Sequence, residues 1–166
     1  MRHESCVLSL ESCVLSLHLS MKLTSPDFDQ NEPIPAQFTC DGADTAPTLR
    51  ISGVPETAKT VALIMDDPDA TTGTWTHWTI WNIPAAESLV IEGGLPAEAV
   101  EGVTSSGQTG YGGPCPPSGM HRYFFKAFAL DAALDLPSES GAADLERAMQ
   151  GHILDKCGLI GVYGRQ

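Results

Sequence analysis

The octapeptide TVALIMDD, Thr60 to Asp67, constrains the fold more than any other stretch of this chain. Strand side chains alternate between two faces, and here both parities are apolar, so such a strand belongs inside a sheet that is covered on both sides. It ends at Pro68, which has no N–H to give to a ladder. THWTIWNI over 76–83 and HRYFFKAFAL over 121–130 also read as strands. The stretches between such runs are Pro, Gly, Asp and Ser clusters, the pattern of an all-β sandwich rather than of βαβ units.

One helix is predicted, capped by Ser140 and running through GAADLERAMQGHIL. Leu145, Ala148, Met149, His152 and Ile153 share its apolar face, so it packs as a satellite on the β core with His152 buried and hydrogen-bonded. Gly158 then precedes a last short strand, LIGVYGR. Two segments, 26–47 and 84–119, hold most of the prolines and glycines, and loops of that length in a compact domain are functional or disordered.

Bulk properties narrow the function. In 166 residues no apolar run approaches the roughly 18 to 20 that cross a bilayer, so one domain without membrane insertion is expected. A formal charge of −12 argues against nucleic acid and leaves any anion to a local pocket. The five cysteines, at 6, 13, 40, 115 and 157, are odd in number and lack CxxC spacing. Neither a disulfide framework nor a zinc site is expected, and a reducing cytoplasm fits best. Residues 4–10 and 11–17 both read ESCVLSL, too few copies for a solenoid or coiled coil, and Glu4 and Glu11 interrupt any secretory h-region. The domain is expected to begin at Met21, residues 1–20 being a poorly ordered extension that includes His3 and His18.

Three segments carry candidate chemistry. DDPDA, Asp66 to Ala70, sets three carboxylates around a proline at a strand end, which also suits a solvated turn. In TWTHWTIWNIP, Trp75, His77, Thr79, Trp81 and Ile83 fall on one face by the period of two, and Trp78, Ile80 and Asn82 on the other. In GYGGPCPPSGMHRY, four glycines and three prolines between Gly110 and Gly119 lead into a strand that points His121 and Tyr123 one way and Arg122 the other. Arg122 is therefore expected to make a structural ion pair or bind backbone. Prolines fix φ, while glycines allow backbone N–H groups to approach a small anion.

If Asp67, His77 and His121 converge, the cluster admits three readings. Imidazole, Tyr hydroxyl and glycine N–H donors make an anion site. Two His and one Asp make a metal triad. A His oriented by Asp makes a general base or phosphoryl acceptor. No G-x-S-x-G or H-E-x-x-H motif is present, so binding is favoured over catalysis and over metal, and no cofactor is expected. Affinity for an anion is expected to fall as pH rises and both rings lose a proton they can donate.

In order along the chain, DPDA, then Trp75-Thr76-His77, then a Gly/Pro loop ending in Gly119-Met120-His121-Arg122-Tyr123 resemble the phosphatidylethanolamine-binding protein family, or Raf kinase inhibitor-like proteins. GPCPP and the ending GVYGRQ resemble its bacterial branch. The resemblance covers Met21 to Gln166 and implies two antiparallel β-sheets in a Greek-key sandwich with a few peripheral helices. It implies a small pocket for phosphate, phosphorylethanolamine or acetate-like groups formed by Asp67, Trp75, His77, His121 and Tyr123, with Pro114 as wall. Asp69, Gly112, Gly113 and Arg122 would support it. The sequence stops after its last strand, so gating by a C-terminal helix, as in mammalian relatives, is not expected. A homodimer is a family-level expectation, and no kinase or protease partner is legible. Cys115, inside the pocket loop, admits redox or thiol chemistry at the rim, though a lone Cys in a small-residue loop is usually inert. The rival function is a His-dependent phosphoesterase or phosphotransferase.

Overall fold

The computed structural model describes residues 20–165, so the extension expected over 1–20 lies, Ser20 apart, outside the described residues. Eight strands form two sheets. Strands β1 (Lys22–Thr24), β2 (Leu49–Ser52) and β5 (Ser88–Ile91) make a three-stranded sheet in the order β1-β2-β5. Strands β3 (Thr60–Asp67), β4 (Trp75–Pro84), β6 (Val100–Glu101), β7 (Met120–Leu130) and β8 (Ile153–Gly164) make the larger sheet, in the order β6-β4-β3-β7-β8. Every pairing between these strands is antiparallel.

Strand β3 occupies the centre of the larger sheet, and all eight of its residues are buried. Val61, Leu63 and Met65 join the main core between the sheets, against Leu23, Leu49, Ile51, Ile91 and Phe125. Ala62 and Ile64 join a second core on the far face, with Trp81, Leu130, Leu145 and Met149. The double-sided apolar pattern of TVALIMDD is thereby explained. The mainly β, two-sheet expectation holds.

The helix departs from its predicted span. Helix α1 covers only Ala142–Met149 and begins after Gly141, not Ser140; the Gly141 N–H donates to the Asp144 carboxylate at 3.4 Å. Gly151, at φ +80°, turns the chain, and β8 starts at Ile153. His152 is therefore not on a helical apolar face but half-exposed, with Nδ1 2.7 Å from Asp131 Oδ1. Long pairing with β7, from Ile153↔Leu130 to Gly164↔Met120, overrides a helical period that continues only by coincidence. Strand β8 starts six residues earlier than LIGVYGR because its first half is an exposed edge with no apolar alternation to betray it.

Strand β4 also breaks the simple alternation. Its register against β3 slips twice, once opposite Ala62 and once at His77. Asn82 sits in the left-handed region at φ +58°, its side chain exchanging hydrogen bonds with the backbone of Leu134. As a result Ile83 packs with Trp78 and Ile80 in the main core, not with Trp81 as strict alternation requires. A bulge gives one strand an extra residue and resets its faces.

Candidate functional site

At the end of β3 and the starts of β4 and β7 lies a cavity of about 420 Å³. Asp67, Trp75, His77, His121 and Tyr123 all line it, brought together from three neighbouring strands. The antiparallel register sets Asp67 beside Trp75, and Asp66 beside Phe124, so the ends of β3, β4 and β7 share one rim. The slip at His77 lets this residue and Trp78 both turn from the helix side, and the His77 ring meets Tyr123 edge-on, centroids 5.2 Å apart.

Each histidine is held through Nδ1. His121 Nδ1 lies 2.7 Å from Asp67 Oδ2, and His77 Nδ1 lies 2.7 Å from the Gly112 carbonyl oxygen. A carbonyl and an ionised carboxylate only accept, so both Nδ1 atoms carry the proton and Nε2 is left as the free ring nitrogen. Asp67 is itself fixed, its Oδ1 accepting the Asp69 N–H at 2.8 Å. The His77 imidazole is pushed below the ordinary histidine value, chiefly by burial, against the opposing pull of the Gly112 carbonyl and the Asp67, Asp44 and Asp66 carboxylates.

Tyr123 is 0% exposed, and its hydroxyl finds no hydrogen-bond partner among the described residues. Burial, then the Asp67 and Asp69 charges, raise its pKa. It remains a phenol, with a proton to donate.

Arg122 is turned away from the cavity. Its backbone N–H, Nε and Nη2 all donate to the Asp69 carboxylate, at 3.0, 2.9 and 2.7 Å. These bonds hold the Asp69 carboxyl at about 2, well below the usual carboxylate range. Asp69 does not line the cavity; it acts through its N–H on Asp67.

The loop wall differs from expectation in three ways. Pro114 is buried behind the wall, its carbonyl accepting the Cys40 N–H, while Pro116 and Pro117 face the cavity. The glycine N–H groups expected to reach an anion are already taken. Gly112 donates to the His77 carbonyl at 2.9 Å, and Gly113 donates to Asp44 Oδ1 at 2.7 Å. Gly113 is needed for close approach instead, since a Cβ there would lie 2.3 Å from Asp44 Oδ1 and 2.6 Å from the Phe38 carbonyl oxygen. Finally, Cys115 is not a lone thiol but is bonded to Cys40, Cα atoms 5.4 Å apart. Partners 75 residues apart leave no spacing signal; the fold joins them by laying the turn after Ala36–Phe38 against the glycine loop. The absence of a disulfide was the ground for expecting a reducing compartment, and the bridge removes it.

The cavity also takes in Asp44, Cys40 and the hydroxyl-bearing Thr71, Thr72, Thr76, Thr104 and Ser106, none of which stood out in the sequence. The only available cue was TCDGAD at 39–44, turn chemistry inside an unusually long loop. Among the described residues no group of three or more His, Cys, Asp and Glu is disposed to hold a metal ion, so the two-His, one-Asp triad does not form. None of the described helices is long and apolar enough to cross a membrane.

The model of the phosphatidylethanolamine-binding protein family matches residues 24–164. A UPF0098 protein of Methanothermobacter thermautotrophicus is 47% identical over 150 residues, covering 87% of this chain and 99% of its own. One from Pyrococcus abyssi is 43% identical over 156 residues, covering 88% and 86%. The crystal structure of Chlamydia trachomatis CT736, described as a PEBP homolog, superposes with a TM-score of 0.82 at 37% identity over 89% of this chain and 99% of that one. Escherichia coli YbcL, described as a new member of the mammalian PEBP family, gives 0.81 at 34% identity, with the same coverage. This chain belongs to the phosphatidylethanolamine-binding protein family, whose relatives here are archaeal as well as bacterial.

Proposed function

We propose that the chain is a non-enzymatic binding module whose cavity takes a small anion of the phosphate type, including a headgroup such as phosphorylethanolamine. The observation that carries this reading is the Tyr123 hydroxyl, fully buried beside the cavity without a partner among the described residues. An unsatisfied buried hydroxyl costs about 1–3 kcal/mol, so an acceptor oxygen arriving from solvent is favoured there. The Nε2 atoms of His77 and His121 offer two further polar contacts. A phosphorylated group presented by another protein has the same chemistry, which is the route by which such a module would modulate a kinase or a protease. The Cys40–Cys115 bridge favours an oxidising compartment over the cytoplasm for this work.

The test is calorimetric titration with inorganic phosphate and with phosphorylethanolamine. Binding is expected, weakened about tenfold in Tyr123→Phe by loss of one hydrogen bond in a buried site. The rival reading, a His-dependent phosphoesterase or phosphotransferase, draws support from the Asp67–His121 pair, the arrangement of a base and its orienter. Turnover of phosphomonoesters that disappears in His121→Ala would replace the binding reading with this one.

A further inference from the structure

The cavity is short of positive charge. Among the described residues its lining includes the carboxylates of Asp44 and Asp67 but no Lys or Arg. Arg122, next to His121 in the chain, is engaged by Asp69, and Arg165 is engaged by Asp41. The glycine N–H groups of the wall are engaged as well. A fully deprotonated dianion entering here meets carboxylates without a fixed cation to offset them.

The polar atoms that remain are not all donors. The Tyr123 hydroxyl donates. His77 Nε2 does not: the Gly112 carbonyl keeps the ring proton on Nδ1, and the neutral ring presents a lone pair at Nε2. Carboxylates line the cavity beside this ring from β3 (Asp67) and from the 39–48 segment (Asp44), with the Tyr123 phenol against it from β7, while Asp66, on the other face of β3 and paired with Lys126, acts on it more weakly. Burial outweighs these carboxylates and favours the neutral ring. A lone pair in a buried site calls for a hydrogen on the ligand.

Resting on the anion-site reading above, we infer that the cavity selects a phosphomonoester in its singly protonated form, the ligand's own P–OH donating to His77 Nε2 while its other oxygens accept from Tyr123. The P–OH supplies the proton that the protein lacks at that point and halves the charge set against Asp67 and Asp44. A phosphodiester has no such hydrogen. Free phosphorylethanolamine is therefore preferred to the same headgroup in an intact phospholipid, and fits better than a sulfate ester of the same size.

Methyl phosphate and methyl sulfate separate the idea from the reading it rests on. Their monoanions match in charge and shape and differ in one acidic hydrogen. At pH 6, where about half of a phosphomonoester carries that hydrogen, affinity expressed per monoanion is expected to be about tenfold higher for methyl phosphate, the value of one buried hydrogen bond. His77→Asn retains a donor to the Gly112 carbonyl but removes the Nε2 lone pair, and is expected to bring the ratio close to one. Glycerophosphoethanolamine, a diester, is expected to bind more weakly than phosphorylethanolamine by a similar factor. Equal affinities for methyl phosphate and methyl sulfate, or for the monoester and diester headgroups, would overturn the inference and leave the anion site standing. No binding of any of the four would remove the anion site itself, and the inference with it.

Discussion

His121 donates through Nδ1 to Asp67 Oδ2 at 2.7 Å, and both residues are buried at the cavity wall. The pair fixes which ring nitrogen faces the cavity. Asp67→Asn retains the volume but offers the ring an amide whose oxygen is already directed at the Asp69 N–H. Its NH₂ then opposes the Nδ1–H, and the ring relieves the clash by moving its proton to Nε2. A tautomer switch seen in nitrogen NMR of His121 is expected, with a loss of about 1–3 kcal/mol in urea unfolding. A His121 ring that keeps its Nδ1 proton in this variant would show that Asp67 does not set the tautomer.

Tyr123→Phe is expected to separate stability from binding. The hydroxyl it removes is buried and has no partner among the described residues, so the ligand-free protein loses a desolvated polar group and no hydrogen bond to them. Unfolding free energy is expected to stay level or rise by up to about 1 kcal/mol, even as phosphate affinity falls. A clear destabilisation in urea would mean that the hydroxyl has a partner in the folded protein.

Arg122, the most obvious anion ligand by residue type, is expected to matter little to binding. Arg122→Ala should change phosphate affinity by less than about twofold, because the guanidinium faces away from the cavity and its half-exposed ion pair with Asp69 is a weak contributor. Its signature lies in acid. The folded-state pKa of Asp69 is depressed from 3.8 to about 2, so the stability it contributes is present above pH 3.8 and lost as pH falls toward 2. In Arg122→Ala the Asp69 titration should return toward 3.8, and the stability gap from wild type should close between those pH values. Carboxyl titration by NMR reads the first, and unfolding midpoints at pH 5 and pH 2.5 read the second.

What was legible in the sequence follows from what is local. Strand β3 declares itself because burial on both faces demands apolar residues at both parities. His121 and Tyr123 declare a shared direction because β7 runs without a slip across them. Strand β4 hides its facing at two bulges, where the partner strand decides which residue is extra. The exposed half of β8 carries no apolar alternation because the residues it turns inward there, Asp155 and Cys157, are only half-buried and one of them is charged. Asp44 and Cys40 enter the wall only once two loops far apart in sequence are laid together. Gly112 and Gly113 were marked as a close approach, but whether the approaching atoms belong to a ligand or to His77 and Asp44 depends on contacts outside the motif.

The Cys40–Cys115 bond holds those two loops together, and the cavity should feel its reduction. Two hydrogen bonds flank it, Cys40 N–H to the Pro114 carbonyl at 3.2 Å and Gly113 N–H to Asp44 at 2.7 Å, so the wall is stitched at three adjacent points. Cross-linking residues 75 apart restricts the unfolded chain, and its loss is expected to cost about 2–4 kcal/mol. Reduction by a dithiol should therefore lower the urea midpoint, and Cys40→Ser with Cys115→Ser should make the protein insensitive to that treatment at this site. Peptide mapping without reductant should recover the two cysteines in one linked fragment. Because Gly112 in the same wall holds both the carbonyl and the ring of His77, phosphate affinity should fall along with stability, so that added phosphate raises the urea midpoint of the oxidised protein more than that of the reduced one. A reduced protein that is less stable but binds phosphate with unchanged affinity would mean that the hydrogen bonds alone hold the His77 wall in place.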